Sequence, residues 1–475
     1  MSTITIVWLA LPFFMGFTIY LLPKLDRYLA LGVALISAGY ALQLFVTRSP
    51  LSLKLLDNFG VTLLADQLSG FFILTNGLVT TAVLFYCWNT GKTAFFYAQT
   101  TIVHGSLNAI FICEDFISVY VALEVLSIAS FLLIVYPRSD RSIWVGLRYL
   151  FISNTAMLFY LVGAVLVYQT HHSFSFAGLK GSPPEAVALI FLGLLVKGGV
   201  FVSGLWLPLT HSEAETPVSA LLSGIVIKAG IFPLVRCALI VPEIDPVVRI
   251  FGVGSAVLGV AYAIFEKDTK RTLALSTISQ LGWILSAPEV GGFYALTHGL
   301  GKAVLFLSAG VLPSRNFKEL QTIQINTKLW FILVIASLSI SGFPLLSGFA
   351  AKTLTMKQML PEQAILMNVA AVCTAIVLAK FIFLPHGKKE EVRPGFWSGV
   401  ILLLGGLIVA NVGYIDAYTV ANITKAIAIV ALGWVAYFLI FRRLELNFSR
   451  VFEQFDHLIG AMSLILILLF WMKLA

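Results

Sequence analysis

Five ionisable side chains sit in stretches of sequence that otherwise read as hydrocarbon. Lys197 lies within AVALIFLGLLV-Lys197-GGVFVSGLWL, and Lys228 within VSALLSGIVI-Lys228-AGIFPLV. Glu124 interrupts FISVYVAL-Glu124-VLSIASFLLIV, and Lys302 follows His298 by four residues in LTHGLGKAVLFL, so that both project from one helical face. A lysine this far from either end of an apolar run cannot snorkel to an interface, and needs a partner, water or deprotonation. A lysine and a glutamate whose separation changes make a proton switch: together both keep their charge, and parted in a dry medium the amine tends to give up its proton. A chain of such groups joined by water is a relay. A single intramembrane lysine can merely brace a helix against carbonyl groups. Five such groups, each costing about 2.5–3.5 kcal/mol on the insertion scale, call for a shared role. His104 reads instead as a satisfied packing residue, and Lys380 and Lys425, nearer the ends of their segments, are given no role.

Helix breaks are the second signal. The apolar segments 186–207 and 328–354 carry Gly198-Gly199 with Gly204 in one, and Gly342-Phe343-Pro344 with Gly348 in the other. Lys197 belongs to the first and Lys352 to the second. Broken helices in corresponding halves of a membrane protein mark ion sites, because unwound backbone and half-helix ends orient charge. Taken alone, the glycine pair reads as a packing device, since glycine is common in membrane helices.

The elements that must position these groups follow from composition. The chain has 475 residues, 59% hydrophobic and 11% charged, with a mean hydropathy of +0.95. That is a membrane composition, and spanning segments must satisfy their own backbone, so helices are expected. Apolar segments recur at 4–22, 28–46, 68–88, 94–113, 116–136, 147–168, 186–207, 217–241, 246–265, 272–287, 291–312, 328–354, 362–385, 395–415, 419–441 and 457–474. These sixteen candidates reduce to an accepted fourteen, the last four being the hardest to number. The first run reads as a retained helix without a basic leader. Lys and Arg gather after odd-numbered segments (Lys24, Arg27, Lys92, Arg138, Arg141, Lys267, Lys270, Arg271, Arg315, Lys318, Lys388, Lys389, Arg442, Arg443), which places those loops in the cytoplasm and both termini outside. Arg48 and Lys54 after the second span, and Glu213 and Glu215 after the seventh, fit that pattern poorly. The net charge of +8 is scattered with no basic run, which argues against nucleic acid. Cys87, Cys113, Cys237 and Cys373 stand singly, without CxxC spacing, so neither a metal nor a disulfide framework is expected.

At Lys197-GGVFVSGLWLPLTHSEAETPVSALLSGIVI-Lys228 the chain resembles the antiporter-like subunits shared by Mrp-type sodium/proton antiporters and respiratory complex I. The shared pattern is a lysine, Trp206-Leu207-Pro208, Pro217-Val218-Ser219-Ala220, and a second lysine. Asp115 with Glu124, Asp268-Thr269-Lys270-Arg271-Thr272-Leu273-Ala274 with Ser276-Thr277-Ile278-Ser279, His298 with Lys302, and Gly342-Phe343-Pro344 through Gly348-Phe349 to Lys352 agree in order, from about residue 60 to 385. Val202, Gly204 and Glu215 depart from it: proline, histidine and proline are usual there.

The resemblance implies an all-α polytopic membrane protein of 14–16 transmembrane helices, with two inverted five-helix repeats and two broken helices. Its parts would be N-terminal helices over 1–113, a first repeat over 94–241, a second over 246–385, and C-terminal helices over 395–475. Glu124 and Lys197 would form a modulating ion pair, Lys228, His298 and Lys302 a central relay, and Lys352 the exit. Gly198, Gly199, Pro208, Pro217, Gly342 and Pro344 would shape the breaks. Glu215 and His211 mark a candidate entrance, although Glu215 alone reads as a solvated loop residue. The function implied is proton translocation within a multi-subunit Mrp-type cation/proton antiporter, in a bacterial-type plasma membrane or an internal energy-transducing one. The alternative is a proton-pumping subunit of a type I NADH dehydrogenase-like complex. No GxGxxG motif after a strand and no cysteine framework is present, so no cofactor is expected on this chain, and redox chemistry would sit in partner subunits. A stand-alone solute transporter and a non-conducting scaffold subunit are the remaining readings.

Overall fold

The computed structural model describes every residue except Met1, Arg48, Asp57, Asn58, Lys389, Glu390, Glu391, Glu445, Asn447, Phe448, Ser449 and Ala475. Arg48 and Lys389, two members of the loop-charge pattern, therefore lie outside the described residues. With hydrocarbon on the outside, backbone groups are satisfied within helices. In chain order these are α1 (Ser2–Leu21), α2 (Asp26–Thr47), α3 (Gln67–Cys87), α4 (Ala94–Ile110), α5 (Phe116–Ile134), α6 (Asp140–His171), α7 (Pro184–Lys197), α8 (Leu207–Glu213), α9 (Thr216–Leu221), α10 (Lys228–Ile240) and α11 (Asp245–Phe265). There follow α12 (Thr269–Leu285), α13 (Gly291–Ala309), α14 (Phe317–Leu320), α15 (Thr327–Ser341), α16 (Ser347–Lys357), α17 (Pro361–Ile382), α18 (Pro394–Val412), α19 (Val420–Ala436) and α20 (Phe455–Leu474).

Each of the sixteen apolar segments carries helix. Among the described residues thirteen helical units are long and apolar enough to cross a membrane, the first broken segment counting as one, Pro184–Glu213. The shortfall has a local cause: α4 and α12 have 17 residues each, and the second broken segment is divided into α15 and α16. A small antiparallel hairpin, β1 (Leu51–Lys54) with β2 (Thr62–Ala65), was not legible in the sequence. Lys54, one of the two basic residues that fit the topology poorly, belongs to it.

The middle of the bundle is built from α9–α10, α12 and α13. The apolar window of Thr216–Ile240 is wholly buried and that of α13 nearly so, whereas α1, α18, α19 and α20 keep most of their surface outward. Lys228 and Lys302 consequently lie in the least accessible part of the protein, each 0% exposed. The last helix, α20, packs back on α7 and on the turn that follows it.

Aspartates start several helices. Asp66 accepts the Ser69 N–H at 2.9 Å, Asp115 the Ser118 N–H at 2.7 Å, and Asp268 the Arg271 N–H at 3.0 Å, satisfying amides that the helix leaves unpaired. Asp115 also accepts the Thr62 N–H at 2.8 Å, so it ties the hairpin to α5. Where α11 turns into α12, Arg271 bridges Glu266 at 2.9 Å and Glu453 at 2.5 Å, and Arg450 reaches Glu266 at 3.2 Å. Burial alone would raise the Glu266 carboxyl, but the Arg271 guanidinium holds it below its ordinary value. These pairs fasten the segment ahead of α20 to the rest of the protein.

At the opposite end of the bundle Arg236, on α10, makes a two-pronged contact with Asp66, one prong at 2.8 Å, and reaches Ser69 Oγ at 3.0 Å. Burial would raise the Asp66 carboxyl; Arg236 and the Ser69 contacts reverse that and hold it low. Removing the acid would strand a guanidinium of which 6% is exposed. Asp66→Ala should therefore destabilise the purified protein by about 3–5 kcal/mol, measured by denaturant titration in detergent. Because the folded-state pKa of Asp66 is depressed, the contribution is complete above the usual carboxylate range and is lost as the pH falls through that folded-state value. The gap between wild type and Asp66→Ala should close in acid, and a gap that widened there would contradict the assignment.

Candidate functional site

Lys197 is the last residue of α7, and the helix stops there because Gly199 takes a left-handed conformation, φ +60°. The chain continues through Phe201, also at positive φ (+56°), and a tight turn over Phe201–Trp206 into α8. Pro208 opens α8 and Pro217 opens α9, where a missing N–H costs nothing. Gly204 is packed against the break itself: a Cβ there would lie 2.1 Å from the Gly199 carbonyl oxygen. A histidine at this position, the usual residue in the pattern the sequence resembles, has no room on this backbone.

The Lys197 ammonium donates to Ser127 Oγ at 2.5 Å and Ser153 Oγ at 2.7 Å, and lies 5.6 Å from the centre of the Tyr149 ring. Glu124, half-buried on α5, is the charged group that acts on it through space, but it forms no direct ion pair with Lys197 among the described residues. The expected contact is thus one helical turn away: Ser127 follows Glu124 by three residues on the same face of α5 and takes the lysine in its place.

Lys228 opens α10 immediately after a π-helical turn, Leu222–Val226. That turn frees carbonyl groups, and the ammonium donates to two of them, Ser223 at 3.2 Å and Gly224. His298 lies near both Lys228 and Lys302, close enough to feel their charges. It is 2% exposed, and neither ring nitrogen has a hydrogen-bond partner among the described residues. Lys302 donates to the Leu273 carbonyl on α12 at 3.0 Å. The central trio expected from the sequence is therefore brought together.

On the side where α8 ends, His211 stacks on Phe306, ring centres 4.6 Å apart, and lies within reach of the charges of both Lys302 and Lys270. Lys270 donates to the Ala214 carbonyl at 2.9 Å, beside Glu215. Glu215 is no free loop residue: its carboxylate pairs with Lys92 at 2.5 Å, and Lys92 lies 4.6 Å from the centre of the Tyr136 ring. Glu213 pairs with Arg141 at 3.0 Å.

The second break mirrors the first in its chemistry. Gly342 takes φ +83°, Pro344 follows, and α16 restarts at Ser347. Lys352, 7% exposed, donates to the freed Ser341 carbonyl at 3.2 Å and lies 4.9 Å from the centre of the Trp283 ring. On α12 and around the second break the hydroxyls of Ser279, Ser337, Ser341 and Ser347 have no partner among the described residues. Buried hydroxyls of this kind are normally completed by water.

Sequence reasoning missed Ser127, Ser153, the π turn and Lys270. Only Ser127 carried a signal, its spacing from Glu124. Lys380, given no role, is a helix cap: it donates to the Ala263 and Glu266 carbonyls at 3.1 and 2.9 Å, where α11 ends. His104, by contrast with His298, is saturated, with Ser37 Oγ at 2.8 Å and Thr80 Oγ1 at 3.1 Å.

Among curated proteins, a Na(+)/H(+) antiporter subunit of Alkalihalophilus pseudofirmus is 25% identical over 85% of this chain and 91% of its own length. An NAD(P)H-quinone oxidoreductase chain 4 of Trichodesmium erythraeum is 27% identical over 70% of this chain and 64% of its own length. Among solved structures, a chain of the Mrp complex from Dietzia sp. superposes with a TM-score of 0.80 at 22% identity, over 97% of this chain and 59% of that one. A chain of the membrane-bound sulfane sulfur reductase, an archaeal respiratory membrane complex, gives 0.77 at 19% identity, over 91% and 99%. These structures share the fold, and the relatives are subunits of multi-subunit membrane assemblies. The family model described as NADH:quinone oxidoreductase/Mrp antiporter, transmembrane, matches residues 113–378, the stretch that holds Glu124, Lys197, Lys228, Lys302 and Lys352, and this multi-pass membrane protein belongs to that family.

Proposed function

We propose that this chain translocates protons as an antiporter-like subunit of a multi-subunit, Mrp-type cation/proton antiporter. The observation that carries the reading is the series Lys197, Lys228, His298, Lys302 and Lys352, whose members sit at helix breaks or on the helices between them. Each lysine is held by a carbonyl or hydroxyl oxygen, with no carboxylate paired to it among the described residues. An amine held this way can accept or release a proton without dismantling a salt bridge, and water between neighbours passes the proton on. Glu124 modulates the first amine from a helical turn away. His211 and Lys270, beside the Glu215–Lys92 pair, offer the entrance, and Lys352 the exit. Sodium enters the proposal through the Alkalihalophilus relative.

The same reading takes 94–241 and 246–385 as two five-segment repeats, with 1–113 and 395–475 as flanking helices, the N-terminal block overlapping the opening of the first repeat. The order of elements supports it: a broken helix that carries a buried lysine falls fourth in each set, at α7–α8 and at α15–α16. A complex I-like subunit is the second reading, favoured by the cyanobacterial oxidoreductase relative. The chain with its co-purified neighbours, reconstituted in liposomes, separates the two. A sodium gradient that moves protons without a redox substrate supports the antiporter, and flavin and iron–sulfur absorbance in the assembly supports the alternative.

Lys197→Ala should cut proton transport by about two orders of magnitude while assembly is retained, and Glu124→Ala should reduce it strongly. Wild-type rates in both variants would reject the relay. The double variant Ser127→Ala/Ser153→Ala removes both oxygens that hold Lys197 and should slow transport by about tenfold or more, read as the initial rate of dye-reported pH change. An unchanged rate would show that these serines do not set the position of the amine.

A further inference from the structure

At the end of the bundle where α12 and α16 finish and α17 and α19 begin, a cavity of about 150 Å³ opens against Lys352. Liquid water takes about 30 Å³ per molecule, so this space accepts a small ion with part of its hydration shell. Its lining is one-sided in charge. Lys352, Lys357 and Lys425 all contribute, with the carboxamides of Asn368 and Asn422, and no aspartate or glutamate is among the described lining residues. Two further buried groups on the same wall lack partners among the described residues: the Trp283 indole N–H, on a residue 1% exposed, and the Ser341 hydroxyl, on a residue 2% exposed. The Lys352 ammonium has three protons to donate and, among the described residues, one protein acceptor, the Ser341 carbonyl. The first turns of α19 face the cavity and add the positive end of a helix dipole.

We propose that this cavity binds a small inorganic anion of chloride size, held among Lys352, Lys425 and the Trp283 N–H. Donors without acceptors and cations without counter-charges are the chemistry that recognises such an ion, and a metal cation meets repulsion and too few oxygen ligands there. Lys425 and Lys357 are exposed at the mouth, whereas Lys352 closes the inner end. An anion seated here stabilises the charged form of Lys352 and so retains its proton. That consequence rests on Lys352 being the last amine of the proposed path, but binding itself does not.

The test is equilibrium binding of radiolabelled chloride to the full chain in its purified assembly, in detergent and without any gradient. Wild type should bind chloride saturably. Lys425→Gln and Trp283→Phe should each weaken that binding by about tenfold or more, and Lys24→Gln, remote from the cavity, should leave it unchanged. Lys425 is exposed, so its variant reports binding even where Trp283→Phe assembles poorly. Absence of saturable binding to wild type, or binding that survives Lys425→Gln undiminished, overturns the proposal. Since no turnover is involved, loss of transport in Lys197→Ala and loss of chloride binding in Lys425→Gln are read independently, and either conclusion can fail while the other stands.

Discussion

An ammonium group placed in hydrocarbon must find oxygen atoms, and in this protein half of those oxygens come from backbone that has left the regular α-helix. A helical carbonyl is already engaged by an amide four residues on. Freed carbonyls arise at helix ends, glycine breaks and π turns. Lys228 takes two from the turn at Leu222–Val226, and Lys352 takes one from the end of α15 at Gly342. Lys197, at the end of α7, uses two serine hydroxyls from α5 and α6 instead. Lys302 shares the Leu273 carbonyl of an unbroken helix with Thr277. At Lys228 and Lys352 break and lysine are thus two halves of one arrangement, since an intact helix there would offer the amine no free carbonyl.

Two buried histidines show how satisfaction separates structure from chemistry. His104 has a partner on each nitrogen, and its neighbours Asn76, Asn108 and Ser37 bond one another, so the cluster locks α2, α3 and α4 together. His298 is equally buried but has no partner on either nitrogen among the described residues, and it feels the charges of two lysines. An unsatisfied imidazole at that depth is costly unless water or a proton carrier completes it. The first arrangement serves rigidity, and the second is the one the proposed relay would use.

The full salt bridges lie instead toward the ends of the helices. Arg271 with Glu266 and Glu453, Arg236 with Asp66, and Lys92 with Glu215 hold turns and the last helix in place. A charge pair there settles position, because each charge is neutralised where it sits. In the interior the same pairing would trap a proton, and the interior lysines are left without one among the described residues.

The sequence by itself determined that the chain crosses a membrane many times, where most segments begin and end, and which ionisable residues hydrocarbon surrounds. Length, hydropathy and the cost of burying charge are local properties, and they are written in consecutive residues. The breaks at Gly199 and Gly342 follow from local backbone preferences in the same way. Which oxygen each lysine meets was decided only by tertiary packing. Ser153 reaches Lys197 from another helix, Glu215 finds Lys92 more than a hundred residues away, and the π turn before Lys228 packs against α13 and α3. Hydrogen bonds of that kind depend on distances of a few tenths of an ångström between elements remote in sequence, and no spacing within one segment encodes them.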